Sequence, residues 1–236
     1  MSRLSWANRM AALASLGDEK RLQLFELVAA SPGAVGRDDV AGATGIPRST
    51  VSFHLDRLVQ DGLLAVEFHK PPGKSGPGSG RPAKMYRPVA GEIGASVPDR
   101  NYDLAGELMA SAIERSTTEG EPVAEALPAE SFRKGRSQAE AAKTLEDFLV
   151  QAGYRPEPDG DGGFLLPNCP FHRLSNKHPG VVCTMNGAFL RGAATRFDAS
   201  ADRVAPADQP GHCCARIMPP AGAVQTRGRE PGGQGG

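Results

Sequence analysis

The stretch RDDVAGATGIPRSTVSFHLDRLVQDGLL, residues 37–64, limits what this chain can fold into more than any other. Val40 and Ala41 read as the inward residues of a short helix, Gly45 supplies a turn, and Ile46 packs beneath a second helix from about Arg48 to Gln60. Val51, Leu55 and Leu58 fall at i, i+4 and i+7, so one buried stripe holds all three. At about 100° per residue, Ser49, Phe53, Asp56 and Arg57 then face the other way. Small hydroxyls, an Arg and an apolar ring on one exposed helix face suit a DNA major groove. The competing reading is a helical hairpin with a merely solvated outer face.

The residues downstream of the helix pair weigh against that reading. DGLLAVEFH predicts a turn into a strand, KPPGKSGPGSGRP a flexible tip, and AKMYRPV a returning strand. This wing carries Lys70, Lys74, Arg81, Lys84 and Arg87. The chain is neutral overall, with 27 basic and 27 acidic residues, yet residues 45–90 alone hold a basic excess. A polyanion is the partner such an excess fits.

GIPRSTVSFHLDRLVQDGLL followed by GRPAKMYRP resembles the winged-helix ArsR-like transcriptional regulators over about residues 10–90. Pro47 departs from the pattern, where a capping Ser or Thr is usual, and proline is tolerated at a helix start. The resemblance implies a homodimer on double-stranded DNA. The expected DNA contacts are Arg48, Ser49, Thr50, Ser52, Phe53, Arg57, Lys74, Arg81 and Lys84.

Upstream, helices are expected over about 4–16, with Leu4, Met10, Leu13 and Leu16 inward, and after a capping Asp18, with Leu22, Phe25, Leu27 and Val28 inward. Downstream, a helix over Asn101–Thr118 (Leu104, Leu108, Ala112 and Ile113 on one side) is a candidate dimer element. Polar, unperiodic residues 119–136 read as a linker. A helix then starts at Ser137, whose spacing to Glu140 fits a capping box. Short strands surround a helix over GVVCTMNGAFLRGA. The expected class is mainly α with an α+β part. Residues 1–90 form a winged helix-turn-helix domain, 91–136 a dimerisation helix and linker, 137–220 a small cysteine-rich sensor domain, and 221–236 a disordered tail.

All four cysteines fall in the third of these parts. Neither an apolar run of the roughly 18 residues that span a bilayer nor a signal-peptide core is present, so a cytoplasmic protein away from membranes is expected. In that reducing setting, clustered thiols point to metal or redox chemistry. Cys169 and Cys183 lack the close CxxC spacing of small zinc modules, which predicts a site assembled from distant segments. His172, in CPFH, is placed to join it, and Cys183 lies near a helix start, whose dipole favours thiolate. Cys213 and Cys214 are expected in a strand, aiming only one of them at the site. The bland alternative is four core thiols.

NCPFHRLSNKHPGVVCTMNGAFLRG with PGHCCARI is similar to the C-terminal domain of the SufR-type repressors. That resemblance implies an iron–sulfur cluster on Cys169, Cys183 and Cys213 or Cys214, with zinc as the alternative metal and His172 as a further ligand. The expected function is a DNA-binding regulator, a repressor, controlled by this centre. The alternatives are a metal-free thiol regulator, a structural zinc, and, remotely, an enzyme pairing Cys183 with His172 or His178.

Overall fold

The computed structural model describes residues 4–69, 82–89, 91–198, 202–207 and 212–220. The chain divides into two compact units, Leu4–Ala95 and a second from Ser96 onward. The described residues are mainly helical, with two small antiparallel sheets.

In the first unit the order is α1 (Trp6–Ser15), α2 (Glu19–Ala30), β1 (Val35–Gly36), α3 (Arg37–Thr44), α4 (Arg48–Gln60), β2 (Leu64–His69) and β3 (Ala83–Pro88). Asp18 caps α2 by accepting from the Arg21 amide at 3.0 Å. Gly45, at φ +69°, ends α3 in a left-handed turn that an L side chain would strain. Pro47 opens α4 without a side-chain cap. The three strands run in the order β1-β3-β2, with Val66 opposite Tyr86 and Phe68 opposite Lys84. Leu24, Val28, Val40, Val51, Leu55, Leu58, Leu64 and Tyr86 close the core beneath. Burying each such side chain stabilises by about 1.5–3 kcal/mol.

Helix α1 does not bury its expected stripe. Arg9, Ala12 and Ser15 are inward, because the Arg9 guanidinium donates to the Leu4 and Gly94 carbonyls; Leu4 and Leu13 stay exposed. In α2, Leu24 and Val28 are buried and Leu22 is exposed.

The second unit holds α5 (Tyr102–Glu119), α6 (Val123–Ala139), α7 (Leu145–Ala152), β4 (Glu157–Pro158), β5 (Phe164–Leu165), α8 (His172–Lys177), α9 (Pro179–Asp198), β6 (Val204–Pro206) and β7 (Ala215–Ile217). Its strands run β4-β5-β7-β6. Met185, Phe189, Leu190 and Ala193 of α9 form the centre of its core. Leu104, Leu108 and Ala112 of α5 are buried in the same core, while Ile113 is exposed.

The expected linker over 119–136 is helical instead. Helix α6 buries Ala126, Leu127, Ser131, Gly135 and Ala139, so its inward face is mostly small. Small residues are what the packing requires. A Cβ on Gly135 would stand 2.0 Å from the Phe189 carbonyl oxygen, and one on Gly192 would stand 2.0 Å from that of Phe132. The two backbones therefore touch where α6 crosses α9. Nor does the capping box at Ser137 form, since α6 runs through it and Thr144 caps α7 at the Asp147 amide.

Candidate functional site

The outer face of α4 forms the first candidate surface. Ser49 and Arg48 are exposed, Thr50 and Ser52 half-buried, and the Phe53 ring is 66 % exposed. The four-residue advance from Ser49 to Phe53 holds both on the side opposite Val51, Leu55 and Leu58. Its cations are not free-standing. Arg48 pairs with Asp38 of α3, Arg57 with Asp61 at 2.9 Å, and Lys84 of β3 with Asp56 of α4. Tyr86 also donates to Asp56, at 2.9 Å. Burial pushes the Asp56 carboxyl up, but the hydrogen bonds from Lys84 and Tyr86 outweigh it and leave it below its ordinary value. Lys84 thus ties the wing strand to α4, a use its basic character alone did not reveal. Lys70, Lys74 and Arg81 lie outside the described residues.

The second candidate site is built around sulfur. Cys169 ends the loop before α8, and the Asn168 side chain fixes that loop by donating to the Asp99 and Gly153 carbonyls at 3.0 and 2.7 Å. Cys183 lies in the second turn of α9. Cys213 and Cys214 lie in the segment leading into β7, where the Cys213 amide donates to the Leu166 carbonyl at 2.8 Å. Cys169 and Cys213 are buried in the same core, with Cys214 packed against it.

Two polar residues complete the arrangement. The Asn186 amide, almost fully buried on α9, donates to the Cys213 sulfur at 3.1 Å and approaches that of Cys214 at 3.9 Å. The Tyr154 hydroxyl donates to the Asn186 carbonyl oxygen and so fixes which end of the amide faces the sulfurs. A single Asn within an apolar helix and a Tyr 32 residues away carry no motif, so nothing in the sequence singled them out.

The four thiols differ electrostatically. Hydrogen bonds donated by Cys213, then by Cys183 and Asn186, outweigh burial and bring Cys214 down to about 6. Interaction with Cys213 lowers Cys169. Cys213 itself is pushed up by its neighbours Cys169 and Cys214 and by burial. Burial and its bond to Cys214 raise Cys183 to about 12. Tyr154 is raised by burial and the neighbouring sulfurs.

Three expectations are corrected here. The helix start does not make Cys183 an easy thiolate, because desolvation and donation to Cys214 dominate over the dipole. Cys213 and Cys214 precede the strand rather than lying in it, so two-residue alternation does not separate them and both reach the group. The His172 ring is exposed and bonded to Asn176 at 3.2 Å, not to the sulfurs. Among the described residues, no three His, Cys, Asp or Glu side chains surround a point as metal ligands do.

A helix pair with a short glycine turn, an exposed face on the second helix, and a following β-hairpin define a winged helix-turn-helix, the DNA-binding module of transcription regulators. Residues 19–67 match the model of the IclR helix-turn-helix domain, which spans α2 through most of β2. The match is to the IclR type rather than the expected ArsR type, and it ends before the sulfur-bearing unit, so the SufR-type resemblance gains nothing from it. No curated protein matches the chain. No helix among the described residues is long and apolar enough to cross a membrane.

Proposed function

We propose that this chain represses transcription as a homodimer on double-stranded DNA, and that the state of its four-cysteine group controls binding. The IclR-type match and the exposed Ser49–Phe53 face of α4 support the DNA half. The observation that carries the control half is that Cys213 and Cys214 both lie against the Asn186 amide of α9, the helix that bears Cys183, while Cys169 is buried in the same core. One α4 per subunit reads one half-site, so a dimer reads an inverted repeat.

An all-sulfur donor set in an apolar wall suits an iron–sulfur cluster, with zinc as the second metal. The donor types fit, but among the described residues no three such side chains are gathered as metal ligands, so the sulfurs would have to shift to take up a metal. When bound, such a cluster supplies an oxygen-labile redox centre. The chain's own residues do the rest: Asn186 directs its N–H at the sulfurs, Tyr154 holds Asn186, and Asn168 holds the Cys169 loop. Such a shift would move α9 against the segment before β7, the two elements that Asn186 links. That is the packing change a population shift requires.

The test is purification without oxygen, followed by an absorbance spectrum, metal analysis and titration with duplex DNA. A brown, iron-bearing protein whose DNA affinity changes on losing iron is the expected result. A colourless protein that binds zinc favours the structural metal. Failure to bind any duplex removes the regulator reading.

A further inference from the structure

Phe53 of α4 and Phe68 of β2 are the most exposed large apolar side chains among the described residues of the first unit, at 66 % and 63 %. Phe68 lies one residue past the segment matched to the IclR helix-turn-helix domain, and the sequence raised no expectation of DNA contact there. Side chains alternate along a strand, so Leu64, Val66 and Phe68 share one face of β2. Leu64 is buried in the core and Val66 packs against it, whereas Phe68 carries the stripe past the core's edge. Residues directly opposite in an antiparallel pair share a face, and Phe68 stands opposite Lys84. Lys84 and Tyr86 both bond to Asp56 of α4, so Phe68 lies on the side of the hairpin that meets α4. Asp56 is three residues from Phe53 and neighbours it along the helix surface. The two rings thus flank one ion pair, Phe53 from the helix and Phe68 from the hairpin. The opposite face of β2 is polar, with Glu67 meeting Arg87 at 3.7 Å and His69 at 3.4 Å.

A single exposed ring is ordinary on a protein surface and means nothing by itself. This one is set apart by its neighbours, a cation directly opposite and the exposed ring of α4 beyond the same ion pair. An apolar protein partner covering Phe68 would have to desolvate the Lys84–Asp56 pair beside it, at a cost. A DNA minor groove suits both neighbours, with phosphates along its rim for the cation and base edges within it for the ring. We propose that Phe68 enters the minor groove beside the half-site read by α4 and wedges against a base step there. The inference rests on the DNA-binding reading of α4 and adds a second, apolar contact from the hairpin. A phenyl ring carries no donor or acceptor, so it reads no hydrogen-bond pattern. It reads deformability instead. A wedge opens the base stack, and flexible steps such as TA and CA open more readily than a stiff A-tract.

The test uses the full chain and a duplex selected by it from random sequence, with 2-aminopurine placed in turn at the steps flanking the protected half-site. Binding of the wild type should brighten the probe at one flanking step, and energy transfer between the duplex ends should report a bend. Phe68→Ala should lose both signals and at least about fivefold in affinity for the selected duplex, as loss of one base contact does. Its affinity for random duplex and its salt slope should stay as in the wild type, because no phosphate contact is removed. Phe68→Leu keeps an apolar wedge and should keep the bend. Replacing the flexible flank by an A-tract should weaken the wild type but not Phe68→Ala. Circular dichroism checks that both variants fold, which the ring's exposure leads us to expect. If the wild type binds and Phe68→Ala matches it in affinity and probe signal, the wedge falls and the reading of α4 stands. An equal loss on selected and random duplexes also overturns the wedge, since it marks a contact blind to sequence. A wild type that binds no duplex removes the DNA-binding reading, and the wedge with it.

Discussion

Asp56 ties α4 to β3 through one carboxylate. Lys84 and Tyr86 both reach it from β3, and the Lys84 ammonium lies 5.1 Å from the Tyr86 ring centre. Its pKa is depressed in the folded chain, so the stabilisation is present in full above the ordinary carboxyl range, near pH 4, and is lost as pH falls through the lowered value. Asp56→Asn keeps the shape and removes the charge. It should destabilise the first unit at pH 7 by about 1 kcal/mol, a low figure because the pair is partly exposed. The gap to wild type should narrow as the protein is acidified. Denaturant unfolding at pH 7 and in acid measures both, and an unchanged gap would show that the pair contributes nothing through charge. Lys84→Ala should likewise loosen the hairpin, which separates it from a cation acting on phosphates alone.

The decisive contact between elements is the crossing of α6 and α9. Alanine in place of glycine within a helix ordinarily stabilises by about 1 kcal/mol. At Gly135 or Gly192 the added methyl meets a carbonyl oxygen at 2.0 Å, so the helices must separate. Each change should cost at least about 1–3 kcal/mol, as overpacking does. Gly106→Ala on α5, with open space around it, should instead raise the melting temperature slightly. Thermal unfolding of the three variants gives opposite signs if the crossing is as tight as it stands; equal shifts would contradict it. The same crossing explains what the sequence hid. Helix α4 was legible to its ends because Val51, Leu55 and Leu58 are large and periodic. Helix α6 was not, because it packs with Ala126, Ser131, Gly135 and Ala139, and Pro128 interrupts it. Small residues give no apolar period, and their spacing acquires meaning only once α9 lies against them. That all four cysteines fall in one part of the chain was legible, but the side chains bonded to them were not. Asn186 and Tyr154 act through a fold that brings residues 32 apart into contact, which no local pattern encodes.

Across the whole molecule, 27 basic residues balance 27 acidic ones, and this balance is repeated at short range on the proposed DNA face of α4 and β3. Arg48, Arg57 and Lys84 each hold a carboxylate of their own unit. A phosphate must compete with that carboxylate, so binding exchanges partners instead of simply adding charge pairs. The exchange lowers affinity for random duplex, since non-specific binding is supplied mostly by counterion release. On the proposed reading, base contacts from Ser49, Ser52 and Phe53 are left to decide among sequences. Asp38 offers the cleanest test: its side chain is 68 % exposed and its partner Arg48 opens α4. Asp38→Asn should free Arg48, strengthen binding to random duplex, and steepen the fall of log affinity with log salt by about 0.9, the value of one added phosphate contact. Preference for a selected duplex over random sequence should fall, because the gain is shared by every sequence. Anisotropy titrations of both duplexes over a salt series measure slope and ratio together. An unchanged slope, with random-duplex affinity also unchanged, would mean that Arg48 does not meet phosphate and that the carboxylate beside it is only part of the fold.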